Sequence, residues 1–408
     1  MNNINYCSIF FFEGYVGLSP TIINLVYSLQ NRGYNITIFA RENIYESPEN
    51  LGDKVIVKYF KTLGSIFFIS ILIKLLTKHK KHNLIEFLDS IFWFFQILLH
   101  TILCKVKTKA LFVGIDTYGT ITAFLIRKLF GSQIKLVFLS LELNPPKTLF
   151  TRLISKLEKI AFKKSVCLLI QDEDRYKTIC EYNQYNHRQY FLIPNSPICQ
   201  DVKNSDYIKG NFFREKFKLD ESKFPYLVVQ AGMLNDNVFS KELALAFSNF
   251  QDRNRYSLIF HERQTRSEND PYIQEIKKIN SKNLFLSLTS VPFNEVSNIF
   301  SSITIGLVFY RNIDKNFSKI AMASGKLSTC LKFGKPVLVN NLDSLSRLVH
   351  KYEFGVIINN PSDYQEVYQG LNKIIDNYEF YCQNAKNCFL SEFEVETKVN
   401  YFLDFIQK

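Results

Sequence analysis

None of the eight cysteines pairs with another as CxxC, and none stands at metal-ligand spacing from a histidine, which argues against zinc-site and dithiol-redox proteins. Cysteines set inside apolar runs, as Cys167 is in Ser165–Ile170, read as buried thiols in a reducing compartment. Residues 1–6 carry no positive charge, and the apolar stretch Ile9–Phe12 after them is far shorter than a signal-peptide core, so cytoplasmic residence is the expectation. No repeat or low-complexity tract occurs, and a chain that is 47% hydrophobic and 22% charged is not disordered. Tryptophan is nearly absent, with one residue against 38 Phe and 22 Tyr.

A long uninterrupted apolar run is also missing. Leu84–Cys104 has the length to cross a bilayer, but Glu86, Asp89, Gln96 and His100 break it, and an Asp near a helix centre costs about 2.5–3.5 kcal/mol on insertion. Positive charge is concentrated there: ten Lys and only two acids fall between residues 54 and 109, within a net charge of +12. Apolar residues 65–76, the KHKKH at 78–82 and the aromatic run Phe92–Phe95 suggest a peripheral contact of residues 66–109 with an anionic membrane surface. Solvated lysines on helices that pack on a sheet account for the same residues. Nucleic acid is not an expected partner, since the basic residues lie among apolar helices rather than on an aromatic-studded sheet face.

A chain of 408 residues exceeds one hydrophobic core, so two domains with a cleft are expected. Short β-rich runs alternate with helical stretches, the pattern of parallel sheets covered on both faces. Strands are predicted at 7–12, 36–40, 55–59, 110–115, 135–140, 166–170 and 190–193, then at 226–231, 256–260, 284–288, 303–309, 336–340 and 354–358. Ser19-Pro20 opens a helix that ends before Gly33, and amphipathic helices are predicted at 361–377 and 394–407. The resulting division is an N-terminal domain 1–198, a linker region 199–225, a C-terminal domain 226–390, and a final helix within 391–408 that packs back on the first domain. In such sheets ligands gather at the carboxyl ends of the strands.

The most informative stretch is Asn316–Val339, where Ser324 and Gly325 precede a helical run that stops at Gly334, with Lys335-Pro336 leading into a strand. A helix start carrying Ser, Gly and Lys suits a diphosphate, because free amides and the helix dipole face it and Lys326 adds a full charge. A plain Ser N-cap on a surface helix is the alternative. SGKL at 324–327 followed by GKPV at 334–337 resembles the signature of bacterial GT-B glycosyltransferases of the family 4 type that build surface polysaccharides. Gly14 and Gly17, GID at 114–116 with Gly119, SLE at 140–142, IQDEDR at 170–175, LIFH at 258–261 and VPFNEV at 291–296 agree with it in order.

The resemblance implies an α/β fold of two Rossmann-like domains whose parallel sheets face a central cleft, and transfer of a sugar from a nucleoside-diphosphate sugar to a glycan or lipid-linked acceptor. It implies that Gly14, Gly17, Gly232, Val291, Asn316, Ser324, Gly325, Lys326 and Leu327 face the donor, and that Tyr118 faces the acceptor. Asp116, Glu142 and His261 are the catalytic candidates, the two carboxylates as bases if transfer inverts the anomeric centre. If transfer retains it, the donor phosphate takes the proton. No cofactor and no metal are expected, the donor being a substrate. Two departures stand out: Ala321 and Thr329 occupy the places of the family's Glu-x7-Glu pair, and the usual Arg/Lys pair after Gly232 is absent, Lys241 being the cation nearest at hand. A nucleotide-sugar epimerase of the same fold and an inactive binding protein are the rival readings.

Overall fold

The computed structural model describes the chain apart from residues 1–4, 43–50, 66–81, 104–109, 132, 146–148, 198–209 and 293–294. The chain forms two compact units, one of residues 1–194 together with 395–408, the other of residues 195–394.

The first unit is built on strands β1 (Tyr6–Phe11), β2 (Asn35–Arg41), β3 (Val55–Phe60), β4 (Leu111–Ile115), β5 (Lys135–Leu139), β6 (Cys167–Ile170) and β7 (Tyr190–Leu192). They form one parallel sheet in the order β3-β2-β1-β4-β5-β6-β7. Every residue of β4 and β6 is buried, which is why these strands read as unbroken apolar runs rather than alternating ones. Helices α1 (Pro20–Asn31), α2 (His82–Leu103), α3 (Asp116–Phe130), α4 (Leu149–Lys164) and α5 (Glu173–Asn183) connect them. Helix α3 presses onto the sheet through two glycines. A Cβ on Gly119 would meet the Phe10 carbonyl oxygen at 2.1 Å, and one on Gly114 would meet the Thr120 Cα at 2.3 Å.

The second unit has strands β8 (Tyr226–Ala231), β9 (Tyr256–His261), β10 (Leu284–Ser287), β11 (Ile305–Val308), β12 (Val337–Asn340) and β13 (Gly355–Ile358), parallel in the order β10-β9-β8-β11-β12-β13. This is the doubly wound order whose direction reverses between β8 and β11, the place where such sheets bind ligands. Around it lie α6 (Phe212–Phe217), α7 (Ser240–Ser248), α8 (Pro271–Lys278), α9 (Val296–Ser302), α10 (Lys315–Ser318), α11 (Gly325–Lys332), α12 (Asp343–Tyr352), α13 (Tyr364–Asp376) and α14 (Tyr378–Cys388). The final helix, α15 (Glu396–Gln407), belongs to the first unit: Phe402 and Phe405 meet Phe191 of β7 at 5.7 and 5.5 Å, and Arg32, just after α1, pairs with Asp404 at 2.8 Å.

All thirteen predicted strands form, with ends displaced by at most two residues. The expected linker is a correction in its described part, residues 210–225. Phe213, Leu219 and Phe224 are buried in the core of the second unit, and Arg214 donates to the carbonyls of Phe224 and Pro225, so this polar-looking segment is integral to that unit. Helix α14 also lies outside the predicted elements, and Ala385 and Cys388 anchor it in the same core.

Candidate active site

Tertiary geometry at the carboxyl edge of the second sheet centres on the start of α11. Ser324 is its N-cap: Oγ accepts from the Leu327 amide at 3.2 Å and shares a 2.7 Å hydrogen bond with the Tyr310 hydroxyl. Leu327 is fully buried and anchors the turn, whereas Gly325 and Lys326 are only half-buried. Among the described residues the amides of Gly325 and Lys326 have no protein acceptor. The Lys326 ammonium lies over the Tyr310 ring at 4.5 Å, with no carboxylate paired to it among the described residues. Burial pushes it down to about 8. A half-buried cation without a counter-ion, carried on the first turn of a helix whose first two amides are open, is a place for an anion.

The loop carrying this turn is braced from behind. Asn195 donates its backbone N–H to the Met322 carbonyl at 2.8 Å and its side chain to the Ala323 carbonyl at 3.0 Å. Asn316 is half-buried in the first turn of α10, its amide bonded to Asp314. Thr329, standing where the family has its second Glu, bonds the Gly325 carbonyl at 2.7 Å, so its hydroxyl is spent on the helix backbone. Beside Tyr310 opens a cavity of about 410 Å³ at the ends of β11 and β12, with Arg311, Asn340 and Asn341 among its lining. Arg311 stacks on Phe239 at 4.2 Å and pairs with Glu242. Sequence reasoning missed it; its signal was an Arg three residues beyond a buried strand at a sheet's carboxyl edge.

Gly232 takes a φ of +118°, a conformation that favours glycine, and its amide bonds the His261 carbonyl at 2.9 Å. Lys241 is occupied by Asp236 and Glu275. Val291 is half-buried against the unit's core, in a loop tied down by the 3.0 Å contact between Thr265 and Ser290. His261 does not have the surroundings of a catalytic base. The ring is 5% exposed, Nδ1 is 2.9 Å from Ser287 Oγ, Phe213 packs on it at 5.8 Å, and burial with nearby Lys216 lowers it to about 4. A neutral histidine held this way orients the end of β10.

The first unit gathers acids at its own carboxyl edge. Asp116 opens α3 at a φ of +51°, is 2% exposed, and its Oδ1 accepts from the amides of Leu141 and Glu142 at 2.7 and 3.0 Å. Its carboxyl is raised well above the usual range by burial and by Glu13. Asp116 therefore fixes the loop after β5 and presents Glu142, whose side chain is exposed. Tyr118 is half-buried with its ring 4.8 Å from Phe12. Gly14 takes a φ of +81°, and Gly17 lies in the single turn Val16–Leu18 that follows.

Glu13 is the acid that sequence reasoning passed over. It stands in the turn after β1 with Oε2 sealed from solvent and without a hydrogen-bond partner, and burial pushes it up to about 7 against the pull of Arg41. Arg41, at the end of β2, lies over the Phe12 ring at 4.3 Å and pairs with Asp89 of α2 at 2.9 Å. A single Glu after a strand carries no sequence signal by itself.

No family model matches the chain, and no curated protein matches it by sequence. Solved structures do. Sucrose-phosphate synthase from Thermosynechococcus elongatus aligns at 9% identity with a TM-score of 0.64, covering 98% of each chain. The trehalose-6-phosphate protein from E. coli bound with UDP-2-fluoro glucose aligns at 10% identity and 0.68, covering 99% of each. Anabaena HepE in complex with UDP and glucose aligns at 11% identity and 0.65, again over 99% of each chain. With the two parallel sheets described above, these likenesses show that the chain has the GT-B fold, with two Rossmann-like domains.

Proposed function

We propose that this chain is a glycosyltransferase that moves a sugar from a nucleoside-diphosphate donor to a hydroxyl of a glycan or lipid-linked acceptor, in the assembly of bacterial surface polysaccharide on the cytoplasmic side of the membrane. The observation that carries this reading is the joint presence, at the start of α11, of a Lys326 ammonium with no carboxylate partner and of Gly325 and Lys326 amides with no acceptor, among the described residues. The SGKL and GKPV segments support it, as do the UDP-bound neighbours, which make a uridine donor the first to test.

In the reaction the acceptor oxygen bonds to the anomeric carbon while that carbon's bond to the diphosphate oxygen breaks. Charge then builds on the departing diphosphate, and preorganised donors aimed at that charge lower the barrier. Here those donors are the two amides, Lys326, and the positive end of α11. We assign neutralisation of the leaving group to them, with no metal required. Gly14, Gly17, Gly232, Val291 and Asn316 are assigned to the donor, the Val291 loop to its base. Tyr118, Glu142 and Glu13 are assigned to the acceptor, and Asp116 to holding the loop of Glu142. Glu13 or Glu142 takes the hydroxyl proton if displacement is direct.

Purified protein should be stabilised against heat by one nucleoside-diphosphate sugar, release the nucleoside diphosphate when acceptor is added, and do so in EDTA. A returned, altered donor sugar would instead make it an epimerase, and binding without any release would make it an inactive binding protein.

A further inference from the structure

A surface helix ordinarily turns its apolar stripe inward and its polar stripe to water. Helix α2 does not. Its inward stripe is Asp89, Trp93, Ile97 and Thr101, all buried. Its outward stripe is Leu88, Ile91, Phe95, Leu99 and Ile102, of which Phe95, Leu99 and Ile102 are 57, 59 and 55% exposed. The neighbouring α4, packed beside α2, adds Leu153, Leu157 and Ile160 to the exposed apolar surface.

Helix α4 also sets the charge. Arg152, Lys156, Lys163 and Lys164 are exposed around its three outward apolar residues, while its one acid, Glu158, is buried and bonded to Thr117 and Asn183. The outer face of α4 therefore carries cations and no anion. Apolar side chains interleaved with lysines fit a phospholipid headgroup boundary, where the stems lie along the chains and the ammonium groups meet lipid phosphates.

We propose that the adjoining outer faces of α2 and α4 form a docking surface for an anionic lipid bilayer, on which α2 lies flat. Although α2 is long and apolar enough by composition to cross a bilayer, its inward stripe is committed to the protein. Asp89 pairs with Arg41 and accepts from the Leu63 amide at 2.8 Å, and Trp93 packs on Phe12 at 5.4 Å. Spanning would tear these contacts out. The same contacts run from the docked face to Phe12 and Arg41, next to Glu13 and Tyr118, so the lipid surface and the acceptor-side acids share one wall. Resting on the transferase reading, this face selects acceptors whose reactive hydroxyl is carried on a lipid.

The test is flotation of the full chain with vesicles of phosphatidylcholine alone or mixed with phosphatidylglycerol, in the absence of any sugar donor. The wild type should float only with the anionic vesicles. Phe95→Glu with Leu99→Glu should stay at the bottom at an unchanged unfolding temperature, because both side chains already face outward. Lys156→Glu with Lys163→Glu should lower partitioning by about tenfold or more, since each cation near an anionic surface contributes about 1 kcal/mol. A wild type that does not float, or a Phe95/Leu99 variant that floats equally well, overturns the proposal. So does a wild-type dimer that the same variant converts to monomer, which would give the stripe to a second copy. An environment-sensitive dye at Phe95→Cys that is already shielded in vesicle-free monomer would give it to residues 66–81 and also refute docking. Floating without nucleoside diphosphate release would sink the transferase reading alone.

Discussion

The two sheets follow closely related strand orders, yet their carboxyl edges carry opposite charge. At the edge of the second unit, Lys326 stands without a counter-ion and the first two amides of α11 without an acceptor, among the described residues. At the edge of the first, Glu13, Asp116 and Glu142 collect near one another, and the one cation acting on Glu13, Arg41, already pairs with Asp89. Common topology thus shapes both edges alike, and the side chains on the loops set them apart; under the transferase proposal one edge takes the diphosphate and the other the hydroxyl that must lose its proton.

The comparison breaks most visibly at Lys326. Lys326→Ala should lower kcat/KM for the nucleotide-sugar donor by about 100-fold or more, the usual effect of removing one preorganised donor from a developing anion. A variant within a few-fold of wild type in steady-state transfer would detach the turn from the chemistry. Next in size is a pH effect. Because burial lowers the ammonium to about 8, nucleoside diphosphate affinity should fall as pH rises from 7 to 9, by about tenfold if the bound form needs the proton. Calorimetry in buffers of different ionisation enthalpy should show proton uptake on binding at pH 8, and Lys326→Met should abolish both signals.

On the acidic edge the sign reverses and the readout is stability. Glu13 is raised from an ordinary 4.5 to about 7, so the folded state holds a proton that the unfolded state has lost between those values. Stability from this group is full below 4.5 and declines as pH climbs through 7. Glu13→Gln should therefore raise the unfolding temperature by a few degrees at pH 8 and leave it unchanged at pH 4; equal effects at both pH values would remove the buried-acid account. The smallest effect belongs to the cap. Ser324→Ala should cost about 1 kcal/mol in denaturant unfolding, because the Leu327 amide loses its acceptor.

The fold was legible in the sequence because ten of the thirteen strands, all but β3, β7 and β10, hold buried apolar residues, as β8 and β12 do in YLVVQA and VLVN, and such runs differ from the helices between them. The turn at 324–326 was legible for a local reason: a Ser cap, a Gly and a Lys are adjacent in the chain. The acidic edge was only partly so. Asp116 and Glu142 were singled out, but that the first holds the loop of the second depends on a turn joining α3 to the end of β5, and Glu13 gains its character solely from burial. Segment 210–225 misled for a related reason, since Phe213 and Phe224 sit among charged residues and only tertiary packing shows that they are core. The outward apolar stripe of α2 was hidden because the helix is apolar on its inner side as well.

The return of α15 to β7 makes the second unit a continuous insertion within the first. During synthesis the first unit cannot be completed when residue 194 emerges; Phe191 and the surface around Arg32 await a helix made only after the whole inserted unit. The inserted unit, contiguous in the chain, is free to fold ahead of the unit that began first. A fragment ending at residue 194 would present an unfinished apolar flank to the cell, whereas residues 195–394 form a segment that can be excised without cutting through either sheet.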